Sequence, residues 1–264
     1  MISFHDWIFS VYPPNSKIEG AWGPLHIVTM LLIVGAIVGF TFLFGKKSDK
    51  TKRTLLFVIV GILFAFELAR RIIGFCSGVE MDFTKVMRTL LPRPWCAISV
   101  WMLMISVVVN KKFFYNFTAS SAILCTIIFF AYPTVGFNNK YILFENLYSI
   151  CTHALLMMGA FLLITLNFTD FDFKAGVWKE GICLATITAY TFLQIFVLQI
   201  EKDPMYFMPN GEIQEILSMD YPVYVVGYVL FLAVYFTAYY VVPYFIAKNK
   251  AKSVVESNEQ LEND

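Results

Sequence analysis

"YPVYVVGYVLFLAVYFTAYYVVPYFIA", residues 221–247, contains no charged side chain. A helix rises 1.5 Å per residue, so about 20 apolar residues cover the roughly 30 Å of hydrocarbon in a bilayer. This stretch is long enough to cross. Six others meet the same requirement, at 25–45, 54–75, 94–110, 113–133, 147–168 and 178–200. None alternates like a β-barrel strand, and a helix is then the way to satisfy every backbone N–H and C=O in lipid. The chain reads as all-α, a polytopic membrane bundle of about seven transmembrane helices.

Composition agrees. Hydrophobic residues make up 58% of the 264 positions and charged residues only 15%, against about 25% charged in soluble domains. The net charge of +1 supplies no broad basic surface, and no nucleic-acid-binding motif is present, so nucleic acid is not an expected partner. The five cysteines, Cys76, Cys96, Cys125, Cys151 and Cys183, are odd in number and lack CxxC or metal-ligand spacing. Neither a disulfide framework, a metal site nor a cofactor is expected.

Residues 1–247 read as one membrane domain, opened by an interfacial segment, 1–24. Phe4, Trp7, Phe9 and Tyr12 suit the headgroup level, whereas His5, Asp6, Pro13 and Pro14 interrupt any apolar core of a cleaved signal. Residues 248–264 lose hydrophobic periodicity and turn from basic to acidic, as a disordered solvated tail does. Lys46, Lys47, Lys50, Lys52 and Arg53 in the first connection, with Lys111, Lys112, Lys174, Lys179, Lys248, Lys250 and Lys252, mark one membrane side. The positive-inside rule makes that side cytoplasmic, with the N-terminus outside and the C-terminus inside the cell membrane. Two NFT acceptor patterns, at Asn116 and Asn167, fall at predicted cytoplasmic helix ends and count as chance matches.

Odd-numbered spans all enter from one side, so their first turns share a depth. His26 opens the first span, Cys96 the third, and His153 lies about two turns into the fifth. These three fall within roughly 10 Å of one another along the membrane normal. The second span runs the other way and brings its late residues Glu67, Arg70 and Arg71 to the same level. The connections 76–93, 134–146 and 201–220 lie on that side and can roof a cavity.

In "LPRPWCAISVW", residues 91–101, Pro94 suits the first position of a helix. Cys96 then falls in the first turn, where free N–H groups and the positive dipole end stabilise a thiolate, with Arg93 nearby. The plainer role is that of a small buried filler, which the other four cysteines share. His153 is either a functional group facing the protein interior or a neutral imidazole tying two helices together; His26, nearer the interface, invites the same choice. Glu67, the only carboxylate well inside a predicted span, has Arg70 and Arg71 three and four residues on, so a same-helix ion pair is available. Alternatively an arginine faces the cavity to receive phosphate or carboxylate, with the glutamate orienting it.

A histidine in the first span, a glutamate late in the second, "LPRPWCAIS" opening the third and "THALL" in the fifth together resemble the YwaF-like bacterial integral membrane proteins. The loop "KDPMYFMP" resembles their Asn-Tyr-Met-Tyr segment, with Asp203, Met205 and Tyr206 at corresponding positions. The likeness covers roughly residues 20–210 and departs at Arg93, Pro94, Trp95 and Pro204. That family is similar, at a greater distance, to a eukaryotic transmembrane family of cysteine-dependent acyltransferases acting on ether phospholipids. The resemblance implies Cys96 as an acyl-accepting nucleophile with His153 or His26 as its base. Glu67, Arg70, Arg71, Arg93, Ser99, Asp203 and Tyr206 are then the candidate substrate-binding residues, and a membrane lipid the substrate.

A transporter or small-ligand-binding protein with no covalent chemistry is the strongest rival, because polar groups converging between helices also describe a permeation site. It predicts that Cys96→Ser stays active and that loss of Glu67 or Arg71 abolishes activity. A retinal receptor is disfavoured, since the last span offers no lysine for a Schiff base before its cytoplasmic end.

Overall fold

The computed structural model describes residues 4–9, 22–77, 82–131, 137, 143–171 and 173–263. The elements run α1 (Phe4–Phe9), α2 (Pro24–Phe44), α3 (Asp49–Cys76), α4 (Phe83–Leu90), α5 (Trp95–Val109), α6 (Lys112–Ala131), α7 (Phe144–Thr165), α8 (Phe173–Phe192), α9 (Glu212–Leu217) and α10 (Tyr221–Asn263). A π-helical turn at Leu193–Val197 prolongs α8, and no strand occurs among the described residues. Most of the predicted interfacial segment, residues 78–81 of the connection 76–93 and most of the connection 134–146 lie outside the described residues.

Helices occupy all seven predicted stretches. By length and composition, Pro24–Phe44, Lys112–Ala131, Phe144–Thr165, Trp178–Val197 and Tyr221–Phe245 can each cross a membrane. A sixth span results if α4 and α5, bent by 53° at their junction, count as one. Helix α3 falls outside this group although it has 28 residues, because only thirteen uncharged residues separate Arg53 from Glu67. The charge it carries at both ends is held against neighbouring helices, as described below.

Local chemistry sets the boundaries. Pro24 starts α2 at a position where its missing N–H is no loss. Helix α3 begins earlier than its apolar stretch because Ser48 accepts from the Thr51 N–H at 3.4 Å and caps it. Asp82 caps α4 the same way, its Oδ1 accepting from the Lys85 N–H at 2.7 Å. Pro94 is the N-cap of α5, so Cys96 is the second helical residue, not the third. Asn110 ends α5 in the left-handed region, at φ 56° and ψ 47°, a conformation asparagine tolerates. Helix α10 continues through Asn263, into the segment read from sequence as a charged tail.

Helix α6 is the axle of the bundle, packed between α5 and α7 with α8 beside it. Its Ala119, Ser120, Ser121 and Ala122 are all fully buried, small residues that let neighbouring helix backbones approach closely. At Gly159 of α7, a Cβ would come 2.7 Å from Leu103 Cδ2 of α5. The main core joins Leu56, Ile59 and Leu63 of α3 with Leu103 and Val107 of α5 and Leu156 and Leu163 of α7. Helix α2 lies at the rim against α7 and buries only His26 and Ile33.

Candidate functional site

At one end of the bundle, the last turns of α3 and α6 and the first turns of α5 and α7 enclose a cavity of about 750 Å³. Its walls are apolar, including Ile73, Val100, Leu124 and Ile128, and Arg70, Arg88 and Arg93 also line it. Cys96, Cys125 and His153 face the same hollow. The segment before α5 is fixed by the end of α8, its π-helical extension and the loop that follows: the Trp95 N–H donates to Pro204 O at 2.9 Å, and Gln194 Nε2 and Tyr190 OH both donate to Pro92 O, at 2.8 and 3.0 Å. The first turn of α5 is thereby held at the mouth of the cavity.

Cys96 reaches the hollow from α5, Cys125 from α6 and His153 from α7. His153 Nδ1 is 2.7 Å from Ser149 O. A carbonyl only accepts, so Nδ1 carries a proton and Nε2 is the nitrogen left to act as a base. Phe129 stacks on the imidazole, with centroids 3.7 Å apart and planes 9° from parallel. Ser99 does not line the cavity. It is fully buried behind it, where its hydroxyl shares a hydrogen bond with Ser121 at 2.8 Å, and Ser121 also accepts from Trp95 Nε1 at 2.6 Å. All five cysteines are free thiols.

Glu67 is 1% exposed and pairs with Arg71 on the next turn of α3, the same-helix partner expected from spacing. Its carboxylate also accepts from Tyr148 OH of α7, and from Trp101 Nε1 of α5 at 3.2 Å. Arg71 continues the chain by donating to Leu90 O at the end of α4, at 3.2 and 3.3 Å. Neither Glu67 nor Arg71 lines the cavity, so this network ties four helices together behind it. Arg70 does line the cavity, with its guanidinium 5.4 Å from the centroid of the Tyr148 ring. Arg93 lines it as well, paired with Glu201 at 2.9 Å.

His26 does not line the cavity. Its ring is fully buried against Phe137 and Phe130, with centroids 4.6 and 6.4 Å away, and Nδ1 accepts from the Trp22 N–H at 3.0 Å. Helix α2 packs against α7 with His26 turned to these two rings, which removes His26 from the group around Cys96. Asp203 is also outside the cavity. Its Oδ1 accepts from the N–H groups of Phe207 and Met208 at 2.6 and 2.9 Å and shapes the loop. Burial pushes the Asp203 carboxyl above the usual range, helped by Glu201 and opposed by those two donors. Tyr206 lines the cavity from a left-handed backbone, φ 58°, with its carbonyl held by Tyr224 OH.

Four residues of this architecture were not singled out from sequence: Cys125, Phe129 and Tyr148 in the cavity, and Glu180 outside it. Glu180 of α8, near the start of its span, is 5% exposed and accepts from Ser120 and Tyr240, each at 2.9 Å, a second buried carboxylate beside Glu67 deeper in its span. Asn116, in the first acceptor pattern, is 1% exposed and bonded to Asp170 at 2.9 Å, closed to a glycosyl group in the folded chain.

The TMEM164 family model matches residues 21–240. The chain belongs to the TMEM164 family. Within this family of membrane proteins, the matched region takes in α2 to α8 and the first part of α10, so every residue lining the cavity from Arg70 to Leu217 lies inside it. No curated protein and no solved structure matches the chain.

Proposed function

We propose that this TMEM164-family protein transfers acyl groups from a membrane lipid through Cys96, with His153 as general base. The observation that carries it is the His153 ring, held on Ser149 O with Nε2 left to act as a base, lining one cavity with a thiol in the first turn of a helix. A base whose other nitrogen is fixed by an acceptor is how a nucleophile–histidine pair keeps the working tautomer. The resemblance to YwaF-like proteins, and through them to a eukaryotic acyltransferase family, points the same way.

In the first step His153 Nε2 takes the Cys96 proton and the sulfur attacks the ester carbonyl. The carbonyl C–O bond to the glycerol oxygen breaks, the acyl group stays on sulfur as a thioester, and the leaving alkoxide takes the proton back from His153 as a lyso-lipid. In the second step a lipid alcohol, or water, gives its proton to His153 and attacks the thioester. The sulfur leaves and is reprotonated. The first-turn N–H groups of Cys96 and Ala97, for which α5 offers no carbonyl four residues earlier, stabilise the oxyanion of each step. The apolar walls suit acyl chains, and Arg70, Arg88 and Arg93 suit the anionic part of a headgroup. In this arrangement the cavity end faces outward in the cell membrane, because the lysine-rich end is the cytoplasmic one.

Transport without covalent chemistry has less support, since the Glu67 carboxylate it would use is occupied by Arg71, Trp101 and Tyr148 outside the cavity. The test is to label membranes with a lipid-like thiol-reactive probe and locate the adduct by mass spectrometry. Cys96 should carry it, Cys96→Ala should abolish it and His153→Ala should slow it at least tenfold. Equal labelling of all five cysteines, or of none, would end the proposal.

A further inference from the structure

The opposite end of the bundle carries a second recess, of about 600 Å³, that the acyl-transfer chemistry does not use. The first turns of α3 and α6 meet there with the ends of α5 and α7. Between Arg53 and Arg70 of α3 the helix rises about 26 Å, so the recess and the cavity lie near opposite faces of a bilayer.

Lys50, Arg53 and Lys112 line the recess. Its one acid, Asp49, is paired with Lys52 at 3.6 Å, and among the described residues no ion pair is formed by the other three cations. Arg53 is anchored by donating to Val107 O and Val108 O at 3.3 Å, which caps the end of α5. Its Nε–H is buried and unpartnered. A buried donor without an acceptor is costly, and a ligand oxygen would satisfy it. The N-termini of α3 and α6, the latter 20 residues long, add positive dipole ends on the same side. Around the rim, Lys46, Lys47 and Lys111 are exposed. Phe57, Leu166 and Phe168 form an apolar wall.

We infer that this recess binds the phosphate of an anionic phospholipid headgroup on the leaflet opposite the cavity. The cations and helix N-termini meet the phosphate oxygens. The aromatic and aliphatic wall meets the glycerol and the first methylenes. A basic pocket between helix ends at the membrane surface is the setting in which such headgroups are held. Free phosphate shares the oxygen chemistry but has nothing to place against Phe57 and Phe168.

The test uses the full chain in detergent and measures binding of dioctanoyl phosphatidylglycerol by native mass spectrometry. Dioctanoyl phosphatidylcholine and inorganic phosphate serve as the other probes. Lys50→Gln with Lys112→Gln is the variant of choice, because both side chains are exposed and neither holds a helix end; Arg53 is left intact. Each lysine near an anionic surface is worth about fivefold, so the pair should weaken phosphatidylglycerol binding about thirtyfold. Raised salt should weaken it in the wild type. Inorganic phosphate that competes only at far higher concentration supports a lipid occupant, and phosphate that binds as tightly alone supports the site with a free anion in it. Equal phosphatidylglycerol binding by wild type and variant, or equal binding of phosphatidylcholine, overturns the inference. Cys96→Ala should bind as the wild type does, so failure of the acyl-transfer chemistry leaves this result standing.

Discussion

Replacing Glu67 by alanine separates scaffold from site. The carboxylate is 1% exposed and accepts from Arg71, Trp101 and Tyr148. Removing one partner of a buried ion pair costs about 3–5 kcal/mol. Arg71 softens this, because its side chain is 11% exposed and keeps the carbonyls of Glu67 and Leu90, which argues for about 3 kcal/mol. The stranded Trp101 N–H and Tyr148 O–H add roughly 1 kcal/mol each, for about 5 kcal/mol in all. A chain of this size loses about 2–4 °C per kcal/mol, so the midpoint for loss of the monodisperse peak, measured by size-exclusion chromatography after heating in detergent, should fall by about 10 °C or more. Glu67→Gln keeps one acceptor oxygen and should lose about half as much. Below its own midpoint, Glu67→Ala should still be labelled at Cys96. An unchanged midpoint would refute the network, and loss of labelling in protein that is still folded would put Glu67 in the chemistry instead.

Phe129→Leu should leave the fold intact and reduce probe labelling of Cys96 by about three- to tenfold, the worth of a stacked ring pair, with labelling rate as the measurement. Gly159→Ala should cost about 1–3 kcal/mol, because its methyl meets Leu103 Cδ2 in a full core, and a midpoint equal to wild type would show that α5 and α7 are not in close contact. Burial raises the Asp203 carboxyl in the folded chain, so its contribution is fully present below the unfolded value and is lost as pH rises through the folded one. Asp203→Asn should therefore flatten the decline in thermal midpoint over that acid window while keeping the acceptor for Phe207 and Met208, and an unaltered pH profile would contradict the burial. Cys76, exposed at the cavity end of α3, should react with a membrane-impermeant maleimide on intact cells when the other four cysteines are replaced. Reaction only after permeabilisation would reverse the proposed orientation.

Helix positions were legible because apolar length is a local property. Each of the seven predicted stretches holds a helix, with ends moved by a few residues where a cap such as Ser48 reached past the apolar run, whereas Asp82 starts a helix, α4, inside what read as a connection. Rise per residue is constant, so an expected depth could be assigned to each residue. Rotation about each helix axis was not legible. Cys96 and His153 line one cavity and His26 does not, although all three were placed at one depth, because α2 packs against α7 with His26 turned to Phe130 and Phe137. Helix α6 is apolar or small around most of its surface, so nothing in its residues marks Cys125 and Phe129 as cavity-facing. Glu180 escaped notice because it stands only three residues into its predicted span, and the groups that enclose it, Ser120 and Tyr240, come from two other helices.

Five free thiols share this bundle, and physical position separates them. Cys76 is exposed at the end of α3, and Cys183 is buried beside Trp95 and Ile98 away from the cavity. Cys151 precedes His153 by two residues on α7, a spacing that turns it to another face, and it does not line the cavity. Cys125 does line it, but it lies two turns before the end of α6, and its thiol donates to Ala122 O at 3.4 Å. The N–H groups around it are consumed by carbonyls four residues earlier, so an oxyanion formed there would find no free donor. Cys96 differs on each count: it is in the first turn of α5, where the helix has no carbonyl to offer its N–H, it opens onto the cavity, and His153 lines the same cavity. The same helix start that frees those donors is held in place by Pro204 O and Gln194. Loosening that loop should therefore slow labelling of Cys96 while leaving Cys76 unaffected, a difference that a merely accessible thiol would not show.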